Sequence, residues 1–146
     1  MEKQYKVVLA DDDADDRDLF IELLSQPNVN VNTVINGTEL LHYLDRRTDD
    51  LPDCIFLDLN MPVLGGKECL QRIRATEKLR DIPVIIYSTS SNRKDVEDTF
   101  SMGANLYVVK ANSYITMKNI LETAIQLDWK HYNPNKSLID FLFKLS

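Results

Sequence analysis

Basic clusters, long apolar stretches and a cysteine framework are all missing from this chain of 146 residues. Its 17 Lys and Arg are outnumbered by 23 Asp and Glu, for a net charge of −6, and the basic residues form no patch. An acidic chain of this kind lacks the electrostatic footprint of nucleic-acid binding. No segment approaches the roughly 18 consecutive apolar residues that a membrane span needs. The opening Met1-Glu2-Lys3-Gln4 runs directly into a strand pattern, so no signal peptide is expected. Only Cys54 and Cys69 are present. One falls in a predicted strand and the other in a predicted helix, and both read as free buried thiols, since cytosolic proteins rarely keep disulfides. With 4 glycines and 5 prolines there is little room for long loops, and no repeat or low-complexity segment is found. The expectation is a soluble, cytoplasmic protein.

What is present is enough for one core: 44% of the residues are hydrophobic, and a single domain of this length can bury a sizeable interior. Five apolar runs rich in β-branched residues span Tyr5 to Ala10, Val29 to Ile35, Cys54 to Leu57, Pro83 to Tyr87 and Leu106 to Val109. They recur roughly every 22 to 29 residues, which suits a strand plus a crossover helix rather than hairpins. Between them, helical spacing predicts Asp15 to Ser25, Glu39 to Arg47, Gly66 to Thr76, a segment from Ser91 or Asn92 through Met102, and one from Ser113 to about Trp129. Ser91 or Asn92, and Ser113, are good N-caps, and Gly103 suits a left-handed helix end. The alternation predicts a doubly wound α/β sandwich, a five-stranded parallel sheet with helices on both faces. It occupies residues 1–130. Residues 131–146 fall outside the pattern: after Pro134, Leu138, Ile139, Phe141, Leu142, Phe143 and Leu145 make a short apolar extension. It is expected to be helical, either packed on its own domain or docking to a partner such as a second copy of the chain.

Two predicted strands end on carboxylates. Val7-Val8-Leu9-Ala10 runs into Asp11-Asp12-Asp13, and Cys54-Ile55-Phe56-Leu57 into Asp58, followed by Leu59-Asn60-Met61-Pro62 and then Gly65-Gly66. The carboxyl ends of the strands are where open α/β sheets bind their ligands. Carboxylates gathered there describe a site for a hard cation and a phosphoryl group. Two like charges at 4 Å repel by about 4 kcal/mol at an effective dielectric near 20, so such a cluster requires a cation. Mg²⁺ takes one or two carboxylates plus phosphate oxygens and keeps several waters. Asp15, Asp16 and Asp13 are explained by the dipole of the helix they open. That explanation does not reach Asp58, which a proline break follows. Ser88, taken alone, reads as a turn or cap residue and Lys110 as a solvated lysine. His42 and His131 have no partner cluster and read as surface residues.

Asp11-Asp12 after the first strand, Asp58 after the third, Ser88 after the fourth and Lys110 after the fifth, with the Asp-Leu-Asn-Met-Pro…Gly motif, resemble the receiver domain of bacterial response regulators of the single-domain, chemotaxis-regulator-like type. The resemblance covers about residues 5 to 129. It implies a flavodoxin-like fold with strand order 2-1-3-4-5 and phosphorylation of Asp58 by a histidine kinase or phosphotransfer protein. It also implies Mg²⁺ or Mn²⁺ held directly by Asp12 and Asp58, through water by Asp11, and by the backbone carbonyl of Asn60. Ser88 and Lys110 would contact the phosphoryl group, small Thr89 would leave it access, and Ser88 and Tyr107 would form the switch. Output would be a contact with a downstream protein or onward phosphotransfer. Such a chain is a signalling phosphoacceptor rather than an enzyme. One position departs from the family: Ala111 stands where proline usually follows the lysine, often with a cis bond. Either this loop holds a non-proline cis bond, at about 2.5–4 kcal/mol, or the bond is trans and the loop takes another path.

Two other functions fit parts of the pattern. Asp11-Asp12-Asp13 contains the Asp-x-Asp of aspartate-nucleophile phosphohydrolases, although Ala14 stands where that class prefers Thr or Val. A receiver that is never phosphorylated and serves only as a binding module is the other.

Overall fold

The computed structural model describes residues 4–47, 49–127 and 142–143. The chain alternates β1 (Tyr5–Ala10), α1 (Ala14–Leu23), β2 (Val29–Val34), α2 (Gly37–Asp45), β3 (Cys54–Leu57), α3 (Gly66–Ala75), β4 (Val84–Ser88), α4 (Arg93–Ser101), β5 (Leu106–Val109) and α5 (Tyr114–Gln126), and a short β6 (Leu142–Phe143) follows. The first five strands lie in the order β2-β1-β3-β4-β5, all parallel. This is the flavodoxin-like arrangement. All residues of β3 and β4 are buried, because both faces of a parallel sheet carry helices and its central strands must be apolar throughout. At the β2 edge the asparagines Asn30 and Asn32 are exposed and alternate with half-buried Val29, Val31 and Thr33.

The period of two along each strand divides the interior in two. Val7, Leu9, Phe56, Ile85, Tyr87, Leu106 and Val108 point to the face covered by α1 (Phe20, Leu23) and α5 (Met117, Ile120, Leu121, Ala124). Phe20, Phe56 and Tyr87 meet there at tilted and edge-on angles, with ring centroids 5.0 to 6.2 Å apart. Val8, Ala10, Ile55, Leu57, Val84, Ile86 and Tyr107 point to the other face, under α2 (Leu40, Leu44), α3 (Cys69, Leu70, Ile73) and α4 (Val96). Each fully buried Leu, Ile or Phe contributes about 1.5–3 kcal/mol relative to exposure. Cys54 and Cys69 are free and buried, and burial pushes both thiols up to about 12.

Helix starts follow local chemistry. The side chains of Asp13, Asn36, Asn92 and Ser113 accept from Asp16, Glu39, Asp95 and Thr116 N–H respectively, so four of the five main helices carry a side-chain N-cap. Of the two residues expected to cap α4, Asn92 is the one that does. Gly103 lies at φ 93° just past α4, the left-handed position that favours glycine. α5 ends at Gln126, with Leu127 extended as its C-cap, short of the expected end at about Trp129, because the backbone leaves the helical conformation at Leu127.

One open alternative closes and one expectation changes. No cis peptide bond is present among the described residues, so the Lys110–Ala111 bond is trans. Leu142 and Phe143, expected within a helical extension, form a strand parallel to β5, with Leu142 opposite Tyr107 and Phe143 opposite Val108. Among the described residues this adds a short sixth strand at the outer edge of the expected five-stranded sheet, whose order is unchanged. A run apolar on nearly every side has no polar face to offer a helix, and the outer edge of β5 offered unpaired backbone groups. The rest of residues 131–146, His131 included, lies outside the described residues.

Candidate functional site

The sheet register brings the strand-end residues together. Ala10 pairs with Leu57, so Asp11 and Asp58, each one residue further on, emerge side by side. The Asp11 N–H donates to Val34 at 3.1 Å and the Asp58 N–H to Ala10 at 3.0 Å, which extends the ladder just beyond the strands. On the other side Ser88 pairs with Val109, and the Lys110 N–H donates to the Ser88 carbonyl at 2.8 Å. Since β2 and β3 flank β1 on opposite sides, this edge is the point where the winding reverses, the usual ligand crevice of such folds.

One carboxylate oxygen each from Asp11, Asp12 and Asp58 lies within 4.8 Å of the others. Asp11 is 0% and Asp58 7% exposed, whereas Asp12 is exposed. Burial pushes the Asp58 carboxyl up to about 6; the Lys110 charge pulls it down, Asp11 raises it further, and the backbone N–H groups of Asn60 and Leu59 lower it. Three carboxylates, two of them removed from solvent, form a donor set of hard oxygen ligands, which suits a small divalent cation. Asn60 is exposed in the loop after β3. Further along that loop Val63 is exposed at φ 70°, uncommon for a β-branched residue.

Lys110 is drawn inward. Its Nζ donates to Asp11 Oδ2 at 2.8 Å and to Asp16 Oδ2 at 2.9 Å, and lies 5.0 Å from the centre of the Tyr87 ring. Burial opposes its charge, but hydrogen bonds to Asp11 and Asp16, with the charges of Asp58 and Asp11, raise its pKa above the ordinary lysine value. Lys110 is therefore neither a solvated lysine nor left far from the site by Ala111, whose N–H faces the Met117 sulfur at 3.3 Å.

Ser88 is fully buried, and its Oγ accepts the Ser90 N–H at 3.2 Å. Thr89 is exposed beside it. Tyr107 is also fully buried, with its hydroxyl donating to the Ser90 carbonyl at 2.7 Å. Burial raises that phenol's pKa. The Ser90 hydroxyl donates to Asp95 at 2.7 Å. Lys67 on α3 bridges Asp95 at 2.8 Å and Asp98 at 3.0 Å on α4. A continuous chain of contacts thus runs from Ser88 to the first turns of α3 and α4.

Asp11, Asp12, Asp58, Ser88 and Lys110 gather at one edge, with Thr89 and Asn60 in the flanking loops and Tyr107 on β5. His42 is exposed, away from them on α2. Reading the sequence missed Asp16 as a partner of Lys110. Helix-dipole compensation accounts for a first-turn acid by itself, yet a helix that starts at the carboxyl edge of a sheet also holds its first-turn acids near the strand ends. The Lys67–Asp95 bridge was missed as well, because nothing local links α3 to α4.

Comparison with known proteins places this geometry. The profile of the response regulator receiver domain matches residues 7–122. The probable methanogenesis regulatory protein FilR2 of Methanothrix harundinacea is 35% identical over 83 residues, covering 57% of this chain and 53% of that protein. The chain thus spans about half the length of that curated relative. Response regulator Rcp1 of Synechocystis is 28% identical over 113 residues, covering 73% of this chain and 77% of Rcp1. Among solved structures, the phosphorylated cyanobacterial phytochrome response regulator RcpA superposes with a TM-score of 0.77 at 31% identity, over 83% of this chain and 91% of that one. With carboxylates, hydroxyl and lysine at the expected strand ends and the profile spanning nearly the whole sandwich, this chain belongs to the response regulator receiver domain family.

Proposed function

We propose that the chain is a phosphoacceptor switch, in which Asp58 takes a phosphoryl group from a phosphohistidine of a sensor histidine kinase or phosphotransfer protein. The observation that carries this reading is the convergence of Asp11, Asp12 and Asp58 with Lys110 at one sheet edge. A carboxyl held up at about 6 is mostly ionised near neutral pH, so an Asp58 oxygen can attack phosphorus. The P–N bond to the donor imidazole breaks, and the ring nitrogen leaves with the electron pair and takes up a proton. An acyl phosphate forms. RcpA, described as phosphorylated, is a relative in which a phosphoryl group is carried.

Mg²⁺ or Mn²⁺, held directly by the carboxylates of Asp12 and Asp58, through water by Asp11, and by the carbonyl of Asn60, would neutralise the crowded negative charge and orient the phosphoryl oxygens. Lys110 would pair with the same group as a point charge. The Ser88 hydroxyl would donate to a phosphoryl oxygen, and Thr89, small and exposed, would leave the approach open. When Ser88 turns to the phosphoryl group, Ser90 loses an acceptor, and the Tyr107–Ser90–Asp95 chain loses the geometry that holds it. The outcome is a population shift at α4 and β5, read by a downstream protein. Among the described residues no helix is long and apolar enough to cross a membrane.

Incubation with acetyl phosphate should give a mass increase of one phosphoryl group, stable in acid and labile in base, when Mg²⁺ is present. Chelation should reduce the rate by at least about tenfold, the scale of the charge stabilisation a bound cation supplies. A protein that never takes the group is a binding module. Labelling lost in Asp11→Asn but kept in Asp58→Asn would instead mark an aspartate-nucleophile phosphohydrolase.

A further inference from the structure

Asp16 has no place in the proposed cation site, since the clustered carboxylates are Asp11, Asp12 and Asp58. Its side chain is also not the cap of α1: its backbone N–H is satisfied by Asp13 at 3.0 Å. What its carboxylate does is hold Lys110 Nζ, at 2.9 Å. We propose that Asp16 is a positioning residue, a tether on α1 that restrains the movement of Lys110 toward a phosphoryl group on Asp58. This inference rests on the phosphoacceptor reading above.

The ammonium group has three hydrogens, and two of them serve Asp11 and Asp16. The Lys110 side chain is 11% exposed and that of Asp16 36%, so the pair is partly shielded and persistent in moderate salt. The two anchors differ in kind. Asp11 belongs to the carboxylate cluster, where an incoming cation repels the lysine by like charge. Asp16 stands outside it and keeps its hold when that happens. With two of its three hydrogens held by Asp11 and Asp16, any movement of Nζ toward a phosphoryl oxygen on Asp58 works against the contact with Asp16. The tether sets how much of the Lys110 population is ready to neutralise the incoming group.

Removing the charge with little change of shape tests this. With acetyl phosphate below saturation and Mg²⁺ present, Asp16→Asn should be phosphorylated about two- to fivefold faster than the wild type, the scale of a partly exposed ion pair. Asp16→Glu, which restores the charge, should return toward the wild-type rate. Beryllofluoride, titrated in place of acetyl phosphate, should half-saturate Asp16→Asn at a concentration about two- to fivefold lower. The decisive arm uses Lys110→Met: in that background Asp16→Asn should change neither rate nor half-saturation. A general relief of negative charge at the pocket would survive loss of the lysine, and a structural role in α1 would not be rescued by glutamate. Equal or slower phosphorylation of Asp16→Asn, or the same gain in the Lys110→Met background, overturns the tether while leaving a labelled wild type intact. A wild type that takes neither acetyl-derived phosphate nor beryllofluoride overturns the phosphoacceptor reading, and the tether with it.

Discussion

In buffer free of divalent cations, Asp58→Asn should melt well above the wild type near pH 7, and the two curves should converge near pH 4. The folded protein raises the Asp58 carboxyl from 3.8 to about 6, chiefly because burial disfavours its charge. The folded state therefore binds that proton more tightly than the unfolded chain does. Stability from this group is complete below the unfolded value and is lost as pH rises from about 4 through about 6. At 1.36 kcal/mol per unit, a shift of this size costs about 2–3 kcal/mol at neutral pH. In a domain of this length that corresponds to roughly 5–10 °C in melting temperature. Asparagine keeps the shape and removes the titration. Mg²⁺ should then raise the wild type by up to about 2.7 kcal/mol at a hundredfold excess over its Kd, and raise Asp58→Asn much less. Differential calorimetry across pH, with and without Mg²⁺, reads both effects. A variant that melts at or below the wild type at pH 7 without cations would contradict the burial argument.

Gly66→Ala is expected to be the most disruptive single methyl in the chain. A Cβ at Gly66 would stand 2.3 Å from the Asp58 carbonyl oxygen and 2.8 Å from Leu59 Cα, and both are backbone atoms that no rotamer change can move. The close approach exists because the Gly66 N–H donates to the Leu59 carbonyl at 3.0 Å, docking the start of α3 directly behind the Asp58 loop. Overpacking normally costs 1–3 kcal/mol, and a clash with rigid backbone belongs at or beyond the top of that range, about 3 kcal/mol or more. Its neighbour is the control. A Cβ at Gly65 would meet only the Leu59 carbonyl at 3.6 Å, so Gly65→Ala should cost about 1 kcal/mol or less, the scale of an N-cap change. Urea melts of the two variants with similar midpoints would show that the α3 docking is not as tight as described. Because the displaced atoms belong to Asp58 and Leu59, Gly66→Ala should also slow phosphoryl uptake in whatever fraction remains folded.

The central sheet was readable because its strands are buried on both faces: Cys54 to Leu57 and Leu106 to Val109 appear in the sequence as unbroken apolar runs with the bounds seen in the fold. The caps at Asn92 and Ser113 were readable because capping needs only contacts three residues away. Asp11 and Asp58 stand out as carboxylates directly after their strands, whereas Ser88 and Lys110 enter the site only through the resemblance to receiver domains; parallel registry is what aligns these strand ends. What escaped was set by contacts between distant segments. Asp16 meets Lys110 across 94 positions, and Lys67 meets Asp98 across 31; neither pairing leaves a periodic or motif-like trace. The segment at Leu142 and Phe143 misled for another reason. So many adjacent apolar residues satisfy a helix and a strand equally, and the choice was made by the free edge of β5 rather than by the segment.

The claim beneath all of this is that Asp58 is the atom-level acceptor. After incubation with acetyl phosphate and Mg²⁺, borohydride reduction converts an aspartyl phosphate to homoserine, and peptide mass spectrometry locates it. The peptide spanning residues 48–67 carries Asp49, Asp50, Asp53 and Asp58, so fragmentation decides among four carboxylates. Homoserine at position 58 alone, with none anywhere in Asp58→Asn, is the predicted result. Homoserine at Asp11, Asp12 or Asp53 in the wild type, or persistent modification of Asp58→Asn, would contradict it.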